Sequence, residues 1–331
     1  MMGMLDAAAA GAAPRGQEAR RYPYGVIVCF LSAFAVAVFT HKAVSPPPPV
    51  AKTDFVRRYG RVALITGATQ GVGAEFAEQL AAMGFNLVLV SRTAETLRKR
   101  AQGIEERHGV KVTQIVAELG VKGSEQKVIR EASGLGVSLY VGNHAGTAIL
   151  AQDGGTRRLW VDEPLERHLS QVEATFSSHL RLCHHYAREF ASVNRGGIIL
   201  VSSTTATKAS PFLATYASSK AALTSLGTTL WYELRPLNVD VVVGLLGGTD
   251  TPALRGAATR EGFKRLPVQS VSSVVEETLR GLGRRPLVLP GVWNKATELL
   301  LTFMPPGIVG KATEEVMLQS FRVDKRNITR G

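Results

Sequence analysis

Cysteine is nearly absent from this chain: Cys29 and Cys183 are the only two among 331 residues, and they match no metal-ligand spacing. Cys29 lies in an apolar run and Cys183 in a stretch of helical pattern, so neither points to a disulfide framework. No cluster suggests zinc, and no metal ligand set is expected. Acidic residues are also in deficit, 27 against 39 Lys and Arg, for a formal charge of +12. Such a balance invites a nucleic-acid or anionic-membrane partner. Yet no basic block runs longer than a few residues and no nucleic-acid motif is present, so DNA and RNA are not expected partners. Internal repeats are lacking too.

What the chain has is apolar residues, 45% of the total and ample for a core. Its length exceeds a typical domain, although α/β folds of about 250 residues are routinely single. Residues 1–21 are rich in Ala, Gly and Arg and are expected to be disordered. From Tyr24 to Phe39 the chain carries no charge, with Arg20 and Arg21 before it and His41 and Lys42 after it. A spanning helix needs about 17–25 apolar residues, and residues 22–40 reach the lower part of that range, although Pro23 weakens the first turn. The rival is a cleavable signal peptide, but Ala43-Val44-Ser45 is spoiled as a cleavage site by Pro46. An uncleaved single-pass anchor is therefore expected, in the endoplasmic reticulum of a eukaryote or the inner membrane of a bacterium. Pro46 to Pro49 form a stiff spacer within a linker over 41–58.

A catalytic domain is then expected over 59–290. Strands are read at 61–66, 86–91, 111–117, 138–142, 197–202, 239–245 and 286–289, with helices at 72–83, 94–107, 123–133, 163–192, 212–235 and 270–283. This alternation predicts an α/β fold, a Rossmann-like doubly wound parallel sheet of about seven strands in three α/β/α layers. The insertion from Thr147 to Asp162 reads as a loop. The tail, 291–331, carries the apolar segment 299–304, then Pro305-Pro306 and another helix-like run. It suits an extra helix on the core or a dimer partner, or else a substrate lid or membrane-surface helix.

The centre of the pattern is Leu64-Ile65-Thr66-Gly67-Ala68-Thr69-Gln70-Gly71-Val72-Gly73. A strand empties into three glycines and a helix begins behind them. Glycines allow a sharp turn and a close phosphate approach, and a helix N-terminus offers unpaired N–H groups to a pyrophosphate. The second strand ends in Ser91-Arg92, where a dinucleotide fold reads the adenosine ribose. An arginine there fits the 2′-phosphate of NADP rather than the free hydroxyl of NAD. Glu118 follows the third strand, near the expected adenine. Asn143, in Gly142-Asn143-His144-Ala145-Gly146, suits packing against the cofactor and bracing of the sheet, and His144 is read as structural.

Ser203 closes the fifth strand, and Tyr216 lies thirteen residues past it with Lys220 four further on, one helical face. That strand edge is where ligands bind in an open α/β sheet. Tyrosine with a pKa near 10 is a poor acid–base group at neutral pH, so Lys220 is expected to lower it and to hold the nicotinamide ribose. Ser203 would orient the substrate oxygen.

Together, the glycine turn, Asn143 to Gly146, Ser203, Tyr216-x-x-x-Lys220 and Gly247-Gly248-Thr249-Asp250-Thr251 resemble a classical short-chain dehydrogenase/reductase over about 59–289. The resemblance implies NADPH-dependent interconversion of a ketone and a secondary alcohol on an apolar lipid, acyl or steroid-like substrate. It also implies a homodimer or homotetramer, and a contact from Thr251 to the nicotinamide or diphosphate. The anchor leading to Tyr59-Gly60, the ending Val90-Ser91-Arg92-Thr93 and the apolar tail look closest to the membrane-bound 3-oxoacyl-CoA reductases and 17β-hydroxysteroid dehydrogenases. Three positions depart from the family pattern: Leu246 replaces a proline, His144 an asparagine, and Thr175 or Phe176 the asparagine of a proton relay. The last departure leaves open a catalytically weak sensor or scaffold on the same fold.

Overall fold

The computed structural model describes residues 52–146 and 156–324. The expected anchor at 22–40, the N-terminus before it and most of the spacer lie outside the described residues. In chain order the elements are α1 (Lys52–Tyr59), β1 (Val62–Thr66), α2 (Gly71–Ala82), β2 (Asn86–Ser91), α3 (Ala94–His108), β3 (Val112–Val116), α4 (Ser124–Ala132) and β4 (Leu139–Gly142). Then follow α5 (Leu165–Val172), α6 (Ser178–Ser192), β5 (Gly196–Ser203), α7 (Ala214–Leu234), β6 (Val239–Leu246), α8 (Pro252–Ala257), α9 (Arg260–Arg265), α10 (Val271–Gly281), β7 (Leu287–Val288), α11 (Val292–Thr302) and α12 (Pro306–Ser320).

The seven strands form one parallel sheet in the order β3-β2-β1-β4-β5-β6-β7. Its central strands are aliphatic along their whole length because both faces are covered. One face packs Ile65, Leu89, Val141, Ile199 and Val242 against Phe76, Leu80 and Leu279 of α2 and α10. The other packs Leu64, Val88, Tyr140, Leu200 and Val243 against Leu182, Tyr186 and Leu223 of α6 and α7. The order reverses between β1 and β4, so the carboxyl ends of these strands open the crevice where such folds bind ligands.

Three details differ from the sequence reading. The spacer expected to run to residue 58 is helical over Lys52–Tyr59. Phe55 and Tyr59 are buried there, and Arg58 and Tyr59 both reach Asp240 Oδ2, at 2.6 and 2.9 Å. The single helix expected over 163–192 is two helices joined by a π-turn at Glu173–Ser177. Apolar periodicity runs through both helices and does not encode the one-residue bulge. In the expected 147–162 loop, residues 147–155 lie outside the described residues, while Arg157 pairs with the tail and Trp160–Asp162 form a 3-10 turn.

The tail lies over the loop that leads from β5 to α7. Glu298 of α11 pairs with Lys208 and accepts from Thr207 at 2.7 Å, and Thr313 of α12 donates to the Ala209 carbonyl at 3.0 Å. Among the described residues no helix is long and apolar enough to cross a membrane.

Candidate active site

The end of β1 is fixed by one hydroxyl. Thr66 is fully buried; its Oγ1 donates to the Val141 carbonyl at 3.3 Å and accepts from the backbone N–H of Asn143 and His144 at 3.0 and 3.1 Å. Asn143 Nδ2 returns to the carbonyls of Thr66 and Gly67 at 3.1 and 3.3 Å. Asn143 therefore braces the turn, as its position suggests.

Behind it the turn is tight. Gly67 and Gly71 hold φ of 64° and 53°, and a Cβ on Gly73 would stand 2.3 Å from the Gly67 carbonyl oxygen. Gln70 caps α2 in an extended conformation with no side-chain hydrogen bond to the helix. The first-turn N–H groups, from Gly71 to Gly73, have no intrahelical acceptor. Thr251, the N-cap of α8, comes close enough that a Cβ on Gly71 would meet its methyl group at 3.1 Å. This glycine cradle fits a dinucleotide pyrophosphate on its own geometry.

The ribose-reading position carries more charge than the sequence suggested. Thr69 and Ser91 share a hydrogen bond of 3.3 Å. Arg92 stands 4.0 Å from Glu118, with both side chains more than half exposed. Arg100, which sequence reasoning missed, reaches over from α3 and donates to the Thr69 carbonyl at 3.2 Å. Its Nη1 pairs with Glu78 at 3.4 Å, and its helical spacing gave no sign of that reach.

Ser203, Tyr216 and Lys220 come together at the end of β5. Ser202 sets the register: its Oγ donates to the Lys220 carbonyl at 2.9 Å, tying α7 to the strand. Lys220 is 2% exposed; its Nζ donates to the Val201 carbonyl at 2.7 Å and lies 5.8 Å from the Tyr216 ring centroid. Burial pulls its pKa down to about 7. The same burial raises Tyr216, while a hydrogen bond from Ser203 and the charge of Arg157 work in the lowering direction. The expected lowering by Lys220 does not appear: desolvation of the phenolate outweighs the Ser203 hydrogen bond and the Arg157 charge, the groups that act in that direction.

Of the two candidates for the relay position, both on the π-turn, Thr175 is buried completely. Its Oγ1 accepts from Gly146 N–H at 3.2 Å and from Gln171 Nε2 at 2.5 Å. His144 is structural in its surroundings, as read: its carbonyl accepts from His179 Nε2 at 2.5 Å, and burial holds its ring near a pKa of about 4. With Nε2 protonated, His179 Nδ1 accepts from Tyr140 at 3.0 Å. Among the described residues no group of side chains could hold a metal ion.

A second missed residue is Arg157. It is 3% exposed and stacks 4.2 Å from the ring centroid of Phe321. Phe321, Leu213, Ala257, Ala258 and Met317 form an apolar cluster against which Tyr216 packs. Only the pairing of distant segments brings Arg157 here.

Comparison with known proteins agrees with this architecture. A short chain dehydrogenase family profile matches residues 61–262. The 7beta-hydroxysteroid dehydrogenase of Collinsella aerofaciens is 33% identical over 72% of this chain and 89% of its own length. The very-long-chain 3-oxoacyl-CoA reductase of Meyerozyma guilliermondii is 31% identical over 72% of this chain and 69% of its own. A solved 7beta-hydroxysteroid dehydrogenase superposes with a TM-score of 0.69 at 28% identity, covering 78% of this chain and 98% of that one. A profile spanning most of the sheet, together with relatives at this identity and coverage, leads to one conclusion: the chain is an oxidoreductase of the short chain dehydrogenase family, acting on CH–OH groups.

Proposed function

We propose that this chain interconverts a ketone and a secondary alcohol on an apolar substrate, with NADP(H) as its preferred cofactor. The observation that carries this reading is the meeting of Ser203, Tyr216 and Lys220 at the end of β5, across from the glycine cradle. The cradle from Gly67 to Gly73 would hold the pyrophosphate, Arg92 favours a 2′-phosphate, and Thr251 lines the same turn. The bound dinucleotide supplies the hydride.

The protein's own groups handle the proton and the geometry. Ser203 hydrogen-bonds the substrate oxygen and orients it. Tyr216 gives its proton to that oxygen during reduction and takes it back during oxidation. When charged, Lys220 favours the phenolate, and burial pulls its pKa down to about 7. Phe321, Leu213 and Met317 make the surroundings of Tyr216 apolar, which suits a steroid or acyl chain. The relatives named above, a hydroxysteroid dehydrogenase and a 3-oxoacyl-CoA reductase, act on substrates of those kinds by their names. The uncharged run at 22–40 supports a membrane anchor that would bring the domain to such substrates.

A second reading, a weakly catalytic NADP-binding sensor, is favoured by one observation: Thr175 spends its lone pairs on Gly146 and Gln171. NADPH oxidation by the full chain on 3-oxoacyl thioesters, steroid ketones, retinal and small aldehydes separates the two. Turnover on one class, abolished in Tyr216→Phe with NADPH binding retained, is the expected result. Turnover that survives Tyr216→Phe would overturn the mechanism, and binding without turnover on any class would favour the sensor.

A further inference from the structure

Arg157 is the only arginine among the buried residues of the described chain. Its guanidinium carbon lies over the Phe321 ring, 4.2 Å from the centroid. That leaves the in-plane N–H bonds to be matched, and Nε and Nη1 have no hydrogen-bond partner. No carboxylate pairs with it among the described residues. A buried charge is costly unless it is paired and hydrogen-bonded, so among the described residues this site lacks one acceptor.

Two anchors hold the guanidinium beside the reacting groups. On one side, Arg157 N–H donates to the Arg322 carbonyl and Asp324 N–H to the Arg157 carbonyl, each at 2.8 Å. On the other, Trp160 Nε1 donates to Thr215 Oγ1 at 3.0 Å, one residue before Tyr216. His168 completes that clamp: it donates from Nε2 to the Trp160 carbonyl at 3.0 Å and accepts from Thr215 at 2.8 Å. Phe321, under the guanidinium, belongs to the cluster that packs Tyr216.

We infer that Arg157 is a substrate-binding residue that takes the carboxylate of an apolar oxo- or hydroxy-acid whose reacting carbon lies at Tyr216. This rests on the oxidoreductase reading above. One guanidinium in apolar surroundings balances one negative charge. A phosphate dianion would call for a second buried cation, and a neutral oxygen would leave the charge uncompensated. Arginine N–H bonds to a carboxylate are short and roughly twice as strong as neutral ones. The charge of Arg157 also acts on Tyr216 in the lowering direction, consistent with their proximity.

The test uses two matched pairs: a steroid oxo-acid with its methyl ester, and a straight-chain oxo-fatty acid with its methyl ester. Binding to the NADPH-loaded full chain is measured by calorimetry, and NADPH oxidation in parallel. In at least one pair the acid is expected to bind about tenfold tighter than its ester, a charge-assisted hydrogen bond's worth. That pair identifies the source of the carboxylate. Arg157→Leu should bring the acid down to the ester's affinity and leave the ester unchanged. Arg157→Lys, which keeps the charge if the leucine variant does not fold, should reduce the acid preference without touching the ester. Equal binding of acid and ester in both pairs, an unchanged preference in Arg157→Lys, or equal loss of both ligands in Arg157→Leu would overturn the assignment. Acid-selective binding without Tyr216-dependent NADPH oxidation would keep it and overturn the oxidoreductase reading instead.

Discussion

Lys220 Nζ donates to the carbonyl of Val201 at 2.7 Å, so the ammonium expected to serve Tyr216 is held by the strand beneath it. One residue on, Ser202 holds the Lys220 carbonyl, and the amine is thus fixed at both its backbone and its tip. The strand gives it one acceptor, and burial takes away water.

The pH dependence of stability follows from that burial. Lys220 falls from an ordinary 10.5 to about 7 in the folded chain. The unfolded chain binds this proton more tightly, so the cost of burying the charge is full below pH 7 and fades as pH rises from about 7 to 10.5. Lys220→Met removes the cost. Its Tm relative to the original chain should be most favourable near pH 6 and lose more than half of that advantage by pH 9, as followed in thermal melts. A difference that does not change with pH would mean that the folded and unfolded chains hold the same proton, so that the buried amine stays charged and its pKa is not pulled down. Turnover in the same variant should drop about 10²–10⁴-fold.

Cofactor choice should follow Arg92. Its 4.0 Å pairing with Glu118 is between exposed groups, a weak contact. Glu118→Gln should tighten NADPH by up to about fivefold, the worth of an exposed ion pair, and leave NADH alone. Arg92→Asp should weaken NADPH at least about tenfold more than NADH, because it replaces a charged hydrogen-bond donor with a repelling carboxylate. Equal losses for the two cofactors in a fluorescence titration would remove Arg92 from the 2′ position.

Thr175 offers a separate check on the relay. Thr175→Val strips the acceptor from the N–H groups of Gly146 and Gln171, an expected loss of about 1–3 kcal/mol in urea unfolding. Thr175→Ser keeps the hydroxyl and should unfold near the original midpoint. If the hydroxyl carries protons as well as structure, kcat in the valine variant falls further than in the serine variant at temperatures where both are folded. Matching kcat values would confine Thr175 to bracing.

Gly73→Ala probes the cradle directly. The added methyl would stand 2.3 Å from the Gly67 carbonyl oxygen and 2.5 Å from Asn143 Nδ2, so the turn must open. NADPH binding should weaken at least about tenfold while the fold persists, since overpacking typically costs about 1–3 kcal/mol. Undiminished binding would show that the pyrophosphate does not use this turn.

The sheet was legible because buried parallel strands are continuous aliphatic runs, and β1 through β6 match their expected positions within about two residues. The cradle was legible because glycine, strand and helix follow each other locally. Ser203, Tyr216 and Lys220 share one strand end and one helix, so spacing alone brings them together. The direction of the Tyr216 shift was not legible, since spacing reports neighbours and not the water they exclude. Arg100 and Arg157 were missed for a related reason: one reaches across from α3, and the other is placed by segments far along the chain. The π-turn at 173–177 hid inside an unbroken helical pattern.

The pairing of Arg157 with Arg322 and Asp324 also sets an order of events during synthesis. The sheet and its two cores use no residue beyond β7, so they can close before residues 321–324 have emerged. Until then Arg157 has no edge to pair with and no ring to stack on. A growing chain, folding from its N-terminal side as chains do, would therefore complete its dinucleotide cradle first and its substrate wall last. A chain released between β7 and Phe321 would be a domain that can take up its nucleotide before it can recognise what that nucleotide is to reduce.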